Sequence, residues 1–183
     1  MSTSNGIRNL LMSHKRLLNM ESIEVESGEL IIRQGDPVEN LWLVEEGSLV
    51  VEIVQSEESN VIAVVGAGEL LGEMGIFGDQ SHTANVRAIE TPTKLLSMKK
   101  GNFLQALLYD VDLAGSLLRI SQKRCQRSNE LIGLMTSGMK SIVADEVKQF
   151  NSASLALGDY GPEGVAIGEL LKKLKSKSQT SSQ

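Results

Sequence analysis

Residues 68–86 read GELLGEMGIFGDQSHTANV and place four glycines among polar residues between two apolar runs. Within this stretch, the apolar segment from Glu73 to Phe77 is long enough for about one helical turn. Gly72 and Gly75 allow the backbone to approach a ligand closely, and the start of a helical turn offers N–H groups to an anion. Glu73 stands at that start, where its carboxylate can accept hydrogen bonds from sugar hydroxyls. The stretch therefore predicts a corner between two strands that holds a small phosphosugar.

The sequence on both sides of this corner consists of short β-branched runs separated by turn residues. Many short strands with Gly, Pro, Asn or Asp between them are typical of an antiparallel sandwich or barrel. The predicted strands are Leu30–Ile32, Leu41–Val44, Leu49–Val54, Val61–Val65, Asn85–Ile89 and Lys94–Met98. A turn is predicted from Ser56 to Asn60.

Residues 68–86 also resemble the phosphate-binding cassette of cyclic-nucleotide-binding domains. That cassette reads Gly-Glu-apolar-small-apolar, then about six residues, then Arg, small residues and Val. Three other pieces of the family pattern occur in order, at Gly28–Asp36, Leu41–Gly47 and Gly66–Glu73, and the resemblance covers roughly residues 10 to 135. It implies an α+β fold: an antiparallel β-roll (a jelly-roll-like double-stranded β-helix) flanked by helices, with a long C-terminal helix.

The resemblance also assigns roles to individual residues. Glu73 would bind the ribose 2′-hydroxyl, and the backbone amides around Gly75 and Ile76 would face the cyclic phosphate. Thr83 follows the position of the family's arginine, where threonine is associated with a preference for guanine. The ligand would be cAMP or cGMP, and no cofactor or metal is expected. The candidate ligand-binding residues are Gly72, Glu73, Met74, Gly75, Ile76, His82 and Thr83.

The sequence departs from the family at the phosphate-pairing arginine, whose position is occupied by His82. Arginine offers a permanent charge and two parallel donors, whereas a neutral imidazole offers one donor. Losing such a charge-assisted bond costs roughly 1.5–3 kcal/mol. Arg87 would compensate only if its side chain faced the pocket. Our hypothesis for His82 is a phosphate contact that strengthens as the pH falls through about 6.5; the alternative is a solvated loop residue.

Three interpretations of the pocket follow from this departure. A cyclic mononucleotide binds, weakly or with a protonated His82; a different ligand binds; or the pocket is degenerate and the β-roll serves only as a protein–protein interaction or scaffold module. Binding of some nucleotide-like ligand is favoured over loss of binding by Gly72, Glu73, Gly75 and Thr83, on the expectation that an empty roll would not need them.

The sequence divides into four segments. We expect a helix over residues 1–20, the β-roll over 21–110, a lid or dimerisation helix over 111–150, and a loop, a short helix at Val165–Leu174 and a disordered tail over 151–183. Near-heptad spacing along the third segment predicts a homodimer through the helix after Leu113, packing on the chain's own β-roll, or each of these in different parts of the helix. Its stripe comprises Leu117, Leu118, Ser121, Cys125, Ser128, Ile132, Met135, Met139 and Ile142.

Charge and composition exclude several functions. Between Glu21 and Glu90 there are 15 acidic and two basic residues, a balance that repels nucleic acid. After residue 150 no pair of helices joined by a tight turn is expected, which argues against direct DNA binding. His14 and His82, the two histidines, are too few for a three-histidine metal site, and Cys125 has no histidine near it in sequence. We therefore expect no enzyme.

The sequence lacks several segments that would indicate where the protein is located and how it passes on a signal. No apolar run approaches the roughly 20 residues of a membrane span, and no signal peptide is visible, so a cytoplasmic protein without membrane contact is expected. The sequence offers no effector domain of its own. Ligand binding would therefore reposition the long helix and pass the signal to an unidentified protein partner.

Overall fold

The structure of the chain is a computed structural model that describes residues 3–55 and 58–180. The helices are α1 Thr3–Ser13, α2 Lys15–Leu18, α3 Lys100–Tyr109, α4 Val111–Val143, α5 Val147–Gly158 and α6 Gly161–Thr180. The strands are β1 Glu21–Val25, β2 Leu30–Ile32, β3 Asn40–Glu46, β4 Ser48–Gln55, β5 Glu58–Gly66, β6 Leu70–Leu71, β7 Asn85–Ala88 and β8 Thr93–Lys99. The chain divides into two compact units, Met1–Gln122 and Lys123–Gln183.

The first unit contains two four-stranded sheets with antiparallel pairing, in the orders β1-β8-β3-β6 and β2-β7-β4-β5. Successive side chains of β3 point to opposite faces of the first sheet, and both faces are buried. In β3, Trp42 and Val44 enter the core shared with the second sheet, whereas Leu41 and Leu43 enter a core shared with the helices. This double burial explains why β3 is a continuous apolar run rather than an alternating one. The architecture is the expected α+β β-roll flanked by helices with a long helix after it.

The core between the first sheet and the helices contains the N-terminal helices. Ile7, Leu11 and Leu18 are fully buried there with Phe103 and Leu113. The single helix expected over residues 1–20 is two helices in the structure, because the chain breaks at His14.

The strands match the expected runs to within a few residues, with two additions. β1 and β6 were not predicted: β1 carries two glutamates, Glu21 and Glu24, among its five residues, and β6 is only two residues long. The expected turn from Ser56 to Asn60 falls partly on residues 56 and 57, which lie outside the described residues, and β5 already begins at Glu58.

The second unit differs most from expectation. We expected a loop from Asn151 to Pro162, but α5 extends to Gly158 and only Asp159 and Tyr160 separate it from α6. Phe150 and Leu157 of α5 are buried with Leu171 of α6, and residues of α4 pack against them. This shared core stabilises a helix whose own propensity is modest, since Asn, Ser and Gly favour loops when nothing packs on them.

The tail prediction was wrong where it can be checked. The short helix expected at Val165–Leu174 is part of the longer α6, which continues to Thr180 through residues expected to be disordered. Residues 181–183, the end of that predicted tail, lie outside the described residues. The premise that no helix pair follows residue 150 was also wrong.

Candidate ligand site

The candidate binding residues of the cassette begin where β6 ends, at a glycine with a left-handed backbone. Gly72 has φ of +87° and precedes a 3₁₀ turn, Glu73–Gly75. The N–H of Ile76 donates to the carbonyl of Glu73 at 3.2 Å, which closes the turn. The amide of Ile76, expected to face a phosphate, is thus already used by the turn.

The side chains of the turn point in different directions. Glu73 is 2% exposed, so its carboxylate lies inside the domain rather than on its surface. Ile76 is buried in the core shared with the helices. Met74 is 59% exposed and the adjacent Phe77 70%, which gives the cassette an apolar outer surface.

The far end of the cassette is held by the loop that precedes β3. Ser81 forms an isolated bridge with Pro37, and the N–H of Val38 donates to the carbonyl of Gln80 at 2.8 Å. The N–H of His82 donates to the carbonyl of Asp36 at 2.9 Å. The cassette is therefore a closed corner whose two ends are fixed independently of any ligand.

Gly72 and Gly75 of the cassette lie close to other parts of the chain. A Cβ at Gly75 would stand 2.5 Å from Cγ2 of Val38 and would overlap the carbonyl oxygen of Ser81. A Cβ at Gly72 would lie 3.2 Å from the carbonyl oxygen of Asn40 and 3.3 Å from Cε1 of His82. An empty roll would need Gly75 for these contacts and Gly72 for its positive φ, so the premise that it would not need them was wrong; their role in binding a ligand stays a prediction.

His82 is buried beside the single tryptophan of the chain. Its exposure is 6%, so the alternative of a solvated loop residue was wrong. The ring centroids of His82 and Trp42 lie 5.8 Å apart. Burial lowers the pKa of His82 below its ordinary value of 6.5, and the carboxylate of Asp36 offsets part of that effect. The imidazole is therefore neutral near pH 7.

Arg87 cannot take the place of the missing arginine in this arrangement. Val86 and Ala88 on either side of it point into the core between the sheets, so its own side chain lies on the opposite face. There Nη1 donates to the carbonyl of Gly28 at 2.6 Å, and Nε lies 4.0 Å from Oε2 of Glu52. Thr83 is exposed.

The loop Asp36–Val38 and Asn40 were missed as parts of the site. Their roles depend on which strand end lies opposite the cassette, and a single sequence does not show that pairing. Trp42 carried a usable signal, because it is the one large aromatic in a predicted strand of the roll. Among the described residues, no group of three or more His, Cys, Asp or Glu is placed to hold a metal ion.

Comparison with known proteins places this corner in a family. Residues 22–110 match the family model of the cyclic nucleotide-binding domain. The voltage-gated delayed rectifier potassium channel KCNH5 of Rattus norvegicus is 28% identical over 170 residues, which are 91% of this chain and 16% of the channel. The cAMP-dependent protein kinase regulatory subunit of Blastocladiella emersonii is 32% identical over 76 residues, 41% of this chain and 19% of that protein. The chain thus spans less than a fifth of either relative.

A solved structure shows the same fold. The catabolite activator protein of Thermus thermophilus superposes with a TM-score of 0.60 and 19% identity, over 96% of this chain and 83% of that one. No helix in the described part of the chain is both long and apolar enough to cross a membrane.

Proposed function

Because residues 22–110 belong to the cyclic nucleotide-binding domain family, we propose that this chain is a regulatory domain that binds cAMP or cGMP in its cassette. The observation that carries the proposal is the buried carboxylate of Glu73, which directly follows the left-handed Gly72. The resemblance gives this carboxylate the role of binding the ribose 2′-hydroxyl, and ligand hydroxyls are suitable donors to a carboxylate.

The phosphate would be held without an ion pair. His82 is neutral near pH 7 because burial lowers its pKa, and Arg87 lies on the other face of its sheet. We therefore expect an affinity about one to two decades below that of a pocket with arginine at this position, since a charge-assisted bond contributes roughly 1.5–3 kcal/mol.

Calorimetric titration with cAMP and cGMP, at pH 6 and pH 8, tests this proposal. The natural protein should bind at least one of the two nucleotides, and Glu73→Gln should weaken binding at least about tenfold, because a neutral amide oxygen accepts a hydroxyl hydrogen bond more weakly than an ionised carboxylate does. Thr83→Ala is the matched variant at an exposed site: a loss confined to cGMP would support the guanine preference. Binding that is unchanged in Glu73→Gln would contradict the assignment of the site.

The output of the domain is proposed to pass through α4. The stripe expected to form a seam divides in the structure. Leu117 and Ile142 pack inside their own chain, whereas Leu118, Ile132 and Met139 are exposed. Leu118, Ile132 and Met139 are separated by 14 and 7 residues, and the exposed Ser121, Cys125 and Ser128 divide the first interval into steps of three and four residues, as in a two-stranded coiled coil. We propose that this stripe joins two copies of the chain and that the ligand alters its packing, with a separate protein as the receiver.

A second candidate function is a roll without a ligand that serves protein–protein interaction. It is favoured by the exposed Met74 and Phe77 on the cassette, and by the packing role of Gly72 and Gly75. Stable dimers whose melting temperature does not change with millimolar cAMP or cGMP would support this interaction role over nucleotide binding.

DNA is not proposed as a partner, although α5 and α6 form a helix pair. Base-reading side chains lie near the start of a recognition helix. The residues that begin α6 are Gly161, Pro162, Glu163 and Gly164, with no basic or amide side chain among them.

A further inference from the structure

The charges around His82 disfavour a bound anion. Burial lowers the pKa of His82, and within residues 3–55 and 58–180 the charged side chain that offsets part of this shift is the carboxylate of Asp36. The backbone N–H of His82 donates to the carbonyl of Asp36 at 2.9 Å, which fixes the two residues next to each other. A phosphate at His82 would therefore meet a neutral ring and a neighbouring negative charge.

Two arginines of the same sheet face away from the cassette. Nη1 of Arg87 donates to the carbonyl of Gly28 at 2.6 Å on the outer face of the sheet. Arg33 is exposed and directly follows Ile32, whose side chain lies in the core between the sheets. Because successive side chains of a strand alternate between its faces, Arg33 also belongs to the outer face.

The lysine that contacts the cassette does so from the side of the helices. Nζ of Lys100, at the start of α3, donates to Oε1 of Gln80. Nε2 of Gln80 in turn donates to the carbonyl of Ile76 at 2.9 Å, and the side chain of Ile76 lies in the core shared with the helices. The ammonium group of Lys100 is thus engaged by the protein itself.

The backbone of the turn also offers a phosphate less than the resemblance implies. The N–H of Ile76, one of the amides assigned to the phosphate, donates to the carbonyl of Glu73 at 3.2 Å. A phosphate in this corner would lack this donor as well as the arginine that His82 replaces.

Ribose hydroxyls suit the same corner better than a phosphate does. Glu73 contributes two carboxylate oxygens, and each of them can accept hydrogen bonds. A 3′,5′-cyclic nucleotide offers this carboxylate only the 2′-hydroxyl, because its 3′ oxygen is esterified. A ribonucleoside offers two adjacent hydroxyls, and hydrogen bonds to a charged group are stronger than those between neutral groups.

We propose that the cassette corner recognises ribose rather than phosphate, and that the class of ligand it takes is the uncharged ribonucleoside. This inference rests on the proposed function, because it places the ligand at the same corner and keeps Glu73 as the acceptor of ribose hydroxyls. It changes the group that supplies the affinity: removing the cyclic phosphate costs nothing, whereas removing the ribose hydroxyls costs most of the binding.

Dissociation constants from NMR titrations of the full chain at pH 8 test this selectivity. The ligands are adenosine, guanosine, cAMP and cGMP, together with the 2′,3′-dideoxy form of the nucleoside that binds more tightly. The tighter nucleoside should have a dissociation constant no more than twice that of its cyclic nucleotide. Its dideoxy form should bind at least about tenfold more weakly, the scale of a lost bond to a charged group.

A matched pair of variants tests the electrostatic reason. Asp36→Asn removes the negative charge beside His82 and keeps the backbone contacts of an exposed residue. It should strengthen cyclic nucleotide binding about threefold, the scale of one exposed charge, and leave nucleoside binding unchanged. Asp79→Asn is the control, because it removes the same charge from an exposed cassette position that does not shift the pKa of His82. Equal gains for both ligands in Asp36→Asn would overturn this reason.

The outcomes separate this inference from the proposed function. A cyclic nucleotide that binds more than twice as tightly as its nucleoside, or a dideoxy form that binds as well as the nucleoside, overturns the inference alone. Binding of a nucleoside without binding of either cyclic nucleotide supports the inference and overturns the assignment of cAMP or cGMP. Failure of every ligand to bind at millimolar concentration overturns both.

Discussion

The imidazole of His82 lies beside the indole of Trp42, with 5.8 Å between the ring centroids and 45° between the ring planes. The same imidazole would touch any side chain placed at Gly72, because its Cε1 stands 3.3 Å from the position of a Cβ there. His82, which occupies the position of the family's arginine, is thus packed inside the corner.

This packing predicts how stability depends on pH. Burial lowers the pKa of His82 in the folded state, so below pH 6.5 the unfolded chain binds a proton that the folded chain resists. Stability should therefore fall as the pH drops below about 6.5, by at most about 1.4 kcal/mol per pH unit from this group. Urea unfolding of the natural protein and of His82→Gln at several pH values measures the difference. Equal pH slopes in the two proteins would contradict the buried, neutral imidazole.

Gly75 should tolerate no side chain whether or not a ligand binds. Gly75→Ala should destabilise the first unit by about 1–3 kcal/mol, because its Cβ would overlap Ser81 and Val38. Gly101→Ala is the control: its Cβ meets nothing within 4 Å on α3, and alanine should add roughly 0.5–1 kcal/mol of stability. Thermal unfolding in the absence of nucleotide compares them, and equal melting temperatures would refute the packing role.

The second unit also contains a glycine with close neighbours, Gly164, and a glycine with open space around it, Gly133. Gly164→Ala should disrupt the joint between α5 and α6, because its Cβ would overlap the carbonyl oxygen of Leu157 and stand 2.8 Å from Cβ of Tyr160. We expect a loss of about 1–3 kcal/mol. Gly133→Ala on α4 has open space and should be neutral or stabilising. Hydrogen exchange along α5 is the readout; unchanged protection in Gly164→Ala would show that the joint yields without cost.

The exposed stripe of α4 predicts a dimer that charge can abolish. Replacing Leu118 and Ile132 together by lysine should weaken self-association at least about tenfold, since each apolar side chain withdrawn from an interface forfeits roughly 1.5–3 kcal/mol. Ser137→Lys alters an exposed position off the stripe and should leave association intact. Light scattering over a concentration series measures both. A natural protein that is monomeric at high concentration would rule out the seam.

The features that could be predicted from the sequence are those that local chemistry decides. The cassette corner, the runs that became β3, β4, β7 and β8, and the long α4 follow from period, turn residues and glycines. The features that could not be predicted depend on contacts between residues far apart in the sequence. The helix α5 exists because Phe150 and Leu157 bury against Leu171, and the break at His14 is bridged by a residue 96 positions away.

The glycines of the cassette show a subtler limit. Gly72 and Gly75 were singled out for a close approach to a ligand, and in the structure the backbone there also lies close to Asn40, Val38 and Ser81. A glycine in a sequence indicates that the backbone there lies close to another group. Only the pairing of strands and loops in the structure shows which residues that group belongs to.

The most direct test of the central proposal is to map the backbone amide signals of the natural protein by NMR during titration with cAMP and, separately, cGMP. We predict saturable shifts centred on Gly72, Glu73 and Met74 with at least one nucleotide, and their loss in Glu73→Gln at the same ligand concentration. Saturable shifts that lie elsewhere, or no shifts at millimolar nucleotide, would contradict a cyclic-nucleotide site in this corner.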